Sequence, residues 1–129
     1  MMRLKYGFLL AGAALMMACG PSLQLENPRH YDRDHIVQEE IENTHASTAL
    51  ELIENLRPHW LRGRGTKSIR FAEVSYPYVY VNGNRLGSIH TLATLPADNI
   101  TDMRFLNAGE ATILFGMNHP SGAIVIEIF

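Results

Sequence analysis

Apolar residues recur at helical spacing through THASTALELIENLRPHWL (44–61), where Ala46, Ala49, Leu50, Ile53 and Leu56 follow the i, i+3, i+4, i+7 pattern. Ser47 or Thr48 supplies a cap, and Thr48 with Glu51 has capping-box spacing. Pro58 ends the helix, because a residue before proline is pushed out of the helical region. Trp60 and Leu61 are then expected to fold back on the core. Upstream, HIVQEEIEN (35–43) predicts a short strand or turn leading to a helical turn.

Beyond the helix the period shortens to two. SIRFAEV (68–74) alternates Ile69 and Phe71 as a strand would. In YPYVYVNGNRLG (76–87), Val79 and Val81 alternate with Tyr78 and Tyr80, and Asn82-Gly83 supplies turn chemistry. SIHTLATLPADNI (88–100) predicts a short helical turn stopped by Pro96. ITDMRFLNAG (100–109) predicts a strand with Met103 and Phe105 on one face. EATILFG (110–116) predicts a short helix ended by Gly116, and AIVIEIF (123–129) a buried closing strand. The order predicts an α+β fold: a small mixed sheet of about four strands, one main helix and two short helices. Asn82, Gly83, Gly109, Gly116 and Gly122 are expected at turns and caps that need positive φ or close approach.

The first stretch, MMRLKYGFLLAGAALMMACG, has a different rhythm. Arg3 and Lys5 precede an apolar run from Phe8 to Ala18, the pattern of an export signal and too short for a membrane span. The single cysteine, Cys19, stands where this run ends. A plain secretory signal would leave an unpaired thiol and set bulky Met16 at a small-residue position, so lipidation of Cys19 is the better reading. The expected organisation is a signal peptide over 1–18, a lipidated cysteine and polar tether over 19–34, and a folded domain over 35–129. Removal of the signal takes away two cations and moves the net charge from −2 to about −4. With one cysteine there is no disulfide framework, so burial must hold the fold together.

Candidate chemistry is sparse. The run LRPHWLRGRGTKSIR (56–70) carries Arg57, Arg62, Arg64, Lys67 and Arg70 with no acid, a surface for an acidic partner or a solvated loop. It lacks the aromatic interleaving that stacks on bases, so nucleic acid is not expected. The six histidines are scattered; His30, Asp32, Asp34 and His35 crowd together in the tether, where a metal site would lack fixed geometry, and none is expected. Phosphate-loop, nucleophile-elbow and HExxH motifs do not occur, so neither catalysis nor a cofactor is expected. Tyr78, Tyr80 and Arg85, with Arg62, Arg64 and Lys67, are the candidate partner or ligand surface.

Two resemblances add to this reading. Ala18-Cys19-Gly20 after the apolar run resembles the lipobox of bacterial lipoproteins, which implies lipid on Cys19. The order VYVNG (79–83), LATLPADNI (92–100), MRFLNAGEA (103–111), ATILFG (111–116) and SGAIVIEI (121–128) is similar to the plug domain of TonB-dependent receptors, and LELIENLRPHWL (50–61) resembles that family's upstream helix. The likeness spans residues 36 to 129. It implies a free-standing plug-like module without the family's β-barrel, held by lipid on the periplasmic side of the outer membrane. The implied role is a binding or accessory module of an envelope transport complex, with an outer-membrane barrel or envelope protein as partner. The alternative is a stand-alone periplasmic binder of small ligands or glycans.

Overall fold

The computed structural model describes residues 32–63 and 75–129. The expected signal peptide, Cys19, most of the tether, Arg64, Lys67 and the 68–74 strand lie outside them. Strand β1 (His35–Val37) leads directly into α1 (Gln38–Asn43), and α2 (Ala49–Leu56) is followed by a 3-10 turn, Pro58–Leu61. Next come β2 (Tyr78–Val81), β3 (Asn84–Ser88) and 3-10 turns at Ile89–Thr94 and Ala97–Asn99. The chain finishes with β4 (Ile100–Leu106), α3 (Ala108–Phe115) and β5 (Ala123–Ile128).

The expected α+β class and mixed sheet are present, with five described strands in the order β1-β4-β5-β2-β3. Two of these were not among the expected four: β1, read from sequence as a strand or turn, and β3, the return arm of a hairpin in which Asn82 and Gly83 take φ of 47° and 79°, the doubly left-handed turn that matches the twist of antiparallel strands. The last strand occupies the middle of the sheet. It pairs antiparallel with β4 and parallel with β2, aligning Val79 with Ile124 and Val81 with Ile126.

Alternation then sorts side chains to two faces. Val79, Ile124, Ile126 and Met103 point into the main core, where Ile36, Leu52, Ile53, Trp60 and Leu92 are fully buried. Leu52 replaces Leu50 at the centre of the α2 face, and Leu50 is only partly buried. The cap of α2 is Thr48, whose hydroxyl accepts from Glu51 N–H, while the Glu51 carboxylate accepts from Ser47 N–H. Trp60 folds back as expected, donates its indole N–H to the Arg33 carbonyl and stacks on Phe105 with centroids 6.0 Å apart.

Residues 32–34, assigned to the tether by sequence, are bonded into the fold. Phe105 N–H donates to the Asp34 carbonyl, and Arg57 Nε donates to that of Asp32. Arg57 is therefore no part of a basic surface. It is 6% exposed, and its guanidinium also donates to the carbonyls of Leu56 and His35 and to the Glu40 carboxylate at 3.0 Å.

Candidate functional site

The other face of the sheet carries a smaller apolar cluster under α3. Asn107 caps this helix: its Oδ1 accepts from Gly109 and Glu110 N–H, and the Glu110 carboxylate accepts from Asn107 N–H in return. Gly109 therefore sits in the first turn of α3 without a positive φ; of the expected positive φ or close approach it has the second, an added Cβ lying 3.3 Å from Asn107 Oδ1. Gly116 ends the helix at φ 88°, and Gly122 at φ 81° returns the chain to β5. A Cβ on Gly122 would lie 2.1 Å from the Leu106 carbonyl oxygen, so only glycine fits there.

Between these glycines the chain brings His119 over the β2–β3 hairpin. Tyr80 lies ring on ring against Phe115, with centroids 3.7 Å apart and planes within 8°. His119 is 5% exposed; with Nδ1 donating to the Gly116 carbonyl at 2.8 Å, Nε2 is left to accept from the Tyr80 hydroxyl. Tyr80 is thus an internal strut and not part of a binding surface, correcting its assignment by sequence. Its ring is buried because α3 covers it, a contact that β-strand alternation could not reveal.

Tyr78, two residues earlier on the same face, stays half-buried. It meets the His119 ring edge-on at 5.5 Å and carries the Arg85 guanidinium 3.9 Å above its own centroid. Tyr78, Arg85, Asn118 and Pro120 border an open cleft of about 330 Å³. Tyr78 and Arg85 are therefore together, as expected. Arg62 lies elsewhere, exposed just after the 3-10 turn that delivers Trp60 to the main core.

Beside this cleft stands a feature that the sequence reading missed. Ile113, Leu114 and Met117 are 84%, 65% and 83% exposed, while Ala111 on the same helix is fully buried. The signal was available: Ile113, Leu114 and Phe115 are consecutive, so at about 100° per residue they spread over about 200° of the helix and cannot all face one sheet.

Polar groups elsewhere form pairs. His35 Nε2 bonds Asp102, whose other oxygen accepts from Arg104 Nε at 3.0 Å. Asp32 and Asp34, crowded with His35 in the sequence, do not converge with it: among the described residues no three His, Cys, Asp or Glu side chains gather as a metal site. No described helix is long and apolar enough to cross a membrane. A second cleft, of about 360 Å³, lies between α1 and Phe129, lined in part by Glu42, His45 and Asp98. Comparison with family models, curated proteins and solved structures finds no match for this chain.

Proposed function

We propose that this chain is a lipid-anchored binding module of the bacterial outer membrane, with a plug-like domain that serves as an accessory to an envelope transport complex. The observation that carries the reading is the Tyr78–Arg85 stack on the hairpin, which shares a cleft with Asn118 and Pro120, next in the chain to the exposed Met117. Tyr and Arg are favoured at protein contacts: Tyr brings large area with two side-chain torsions, and Arg brings a planar fork of hydrogen-bond donors that also stacks on rings. A mixed sheet supports that surface rigidly. The hairpin, Pro96 turn, β4, α3 and β5 follow the plug-like order of motifs, and the apolar run ending at Cys19 supplies the anchor.

A photo-crosslinking residue at Arg85, used in intact envelopes, is expected to capture an outer-membrane barrel or transport protein. Recovery of neither would count against the accessory role. Metabolic labelling with a palmitate analogue is expected in the wild type and absent in Cys19→Ala; equal labelling in both would remove the anchor.

The cleft floored by Tyr78 favours a second reading, a stand-alone periplasmic binder of small ligands or glycans. A phenol and a guanidinium on one cleft suit hydrogen bonding to the hydroxyls of a sugar. A thermal-shift screen with glycans and siderophores separates the two, since only this reading predicts stabilisation by a free small molecule.

A further inference from the structure

We infer that the tip formed by α3 and the loop after it is a membrane-contact surface, inserted into the interfacial layer of the bilayer that holds the anchor. The inference rests on the lipid-anchored reading above and names what the apolar part of that surface touches. Three observations carry it.

The first is exposure. Ile113 and Leu114 lie on the last turn of α3, Met117 follows its terminal Gly116, and all three are exposed to solvent. Leaving three large side chains in water forgoes the transfer free energy that burial would supply, and clustered apolar exposure marks a contact surface.

The second is charge. The chain carries no Lys, Arg, Asp or Glu between Glu110, in the first turn of α3, and Glu127, so the last turn of the helix and the loop after it can enter an apolar layer without desolvating a charge of their own. The nearest cation from the hairpin, Arg85, makes no carboxylate contact among the described residues and lies over Tyr78. An aromatic ring and a cation bordering an apolar tip match the interfacial layer, where rings sit at headgroup depth and guanidinium groups meet phosphate.

The third is reach. From Cys19 to Asp32 the chain can span at most about 45 Å at ~3.5 Å per residue, so an acylated Cys19 keeps the domain within contact distance of its own bilayer. One lipid-borne signal plus a weak apolar contact is the two-part anchoring that holds peripheral proteins stably.

The test uses the full chain with Cys19→Ser, which removes the lipid and the only native thiol. Single cysteines are then placed at Met117, Ile113 or Glu54 and labelled with the environment-sensitive fluorophore NBD. Glu54 is exposed on α2, on the opposite side of the sheet, and serves as the reference. The bilayers are phosphatidylethanolamine–phosphatidylglycerol vesicles with and without a spin label buried in the acyl region. The expected result is a blue shift and loss of most NBD emission by quenching at 113 and 117, with little of either at 54. The apolar leader is common to all three proteins, so it cannot create that difference. Equal quenching at all positions, or none at 113 and 117, overturns the inference. So does a shift at 117 that requires envelope protein and not bare lipid, which would reassign the tip to a protein partner. Because the protein carries no acyl chain here, none of these outcomes depends on whether Cys19 is lipidated in the cell.

Discussion

The hydroxyl of Tyr80, in the centre of β2, donates to Nε2 of His119, 39 positions later, at 2.7 Å. The bond pins the loop after α3 to the sheet and fixes the imidazole, whose Nδ1 in turn closes the helix end at Gly116. Tyr80→Phe keeps the ring stacked on Phe115 but leaves Nε2 buried without its donor. The expected loss is about 1–2 kcal/mol in urea denaturation. Adding His119→Phe should cost less than the sum of the two single changes, because the orphaned nitrogen disappears with its partner. Strict additivity would show that the bond contributes nothing.

Two glycines with nearly the same backbone angle should respond very differently to alanine. Gly83 and Gly122 have φ of 79° and 81°, but a Cβ on Gly83 meets nothing within 4 Å, while on Gly122 it would collide with the Leu106 carbonyl. Gly83→Ala is expected to cost about 1 kcal/mol, the left-handed penalty alone. Gly122→Ala must also move β4 away from the start of β5, and should exceed about 2 kcal/mol. Equal midpoint shifts in thermal unfolding would refute this contrast.

Arg57 holds the entry segment, β1 and α1 together through one guanidinium. Arg57→Met removes its bonds to three carbonyls and strands the Glu40 carboxylate, whose side chain is only 14% exposed. A loss of about 3 kcal/mol or more is expected. Arg57→Lys should recover little, since one ammonium cannot span acceptors on both sides of the planar fork. Hydrogen exchange would report the damage first in β1 and α1.

The pH dependence of stability has an identified contributor in His59. Burial, and then the positive charge of Arg33, lower its pKa below the ordinary 6.5, although Asp34 and the Arg33 backbone pull the other way. A depressed histidine binds its proton less readily in the folded chain than in the unfolded one. Its contribution is therefore fully present above 6.5 and is lost as the pH falls through the folded-state value. Unfolding midpoints should decline as the pH drops below that window's upper edge, and His59→Gln should flatten the decline. An unchanged slope would place the titration elsewhere.

Much of the framework could be read from residue patterns because its causes are local. Thr48 capping α2, Pro58 ending it, and Asn82-Gly83 turning a hairpin each depend on a few adjacent residues. Gly109 misled because a glycine two residues after an asparagine looks like a turn, yet the Asn107–Glu110 capping exchange draws it into α3. Arg57 looked like surface because arginine usually is. Its burial depends on carbonyls at positions 32 and 35, which no window around residue 57 contains.

The sequence by itself determined the class of the fold and the element ends at Thr48, Pro58, Asn82-Gly83 and Gly116, since hydrophobic period, prolines, caps and turn glycines act over one or two turns of chain. Tertiary structure alone decided that the last strand lies at the centre of the sheet, between β4 and β2, because pairing joins residues dozens of positions apart. It likewise decided that Tyr80 is internal while Tyr78 remains at the surface. Both point to the same face, and α3 covers one and leaves the other beside Arg85. An eight-residue helix is too short to cover that face, and its own apolar residues stay exposed at the tip.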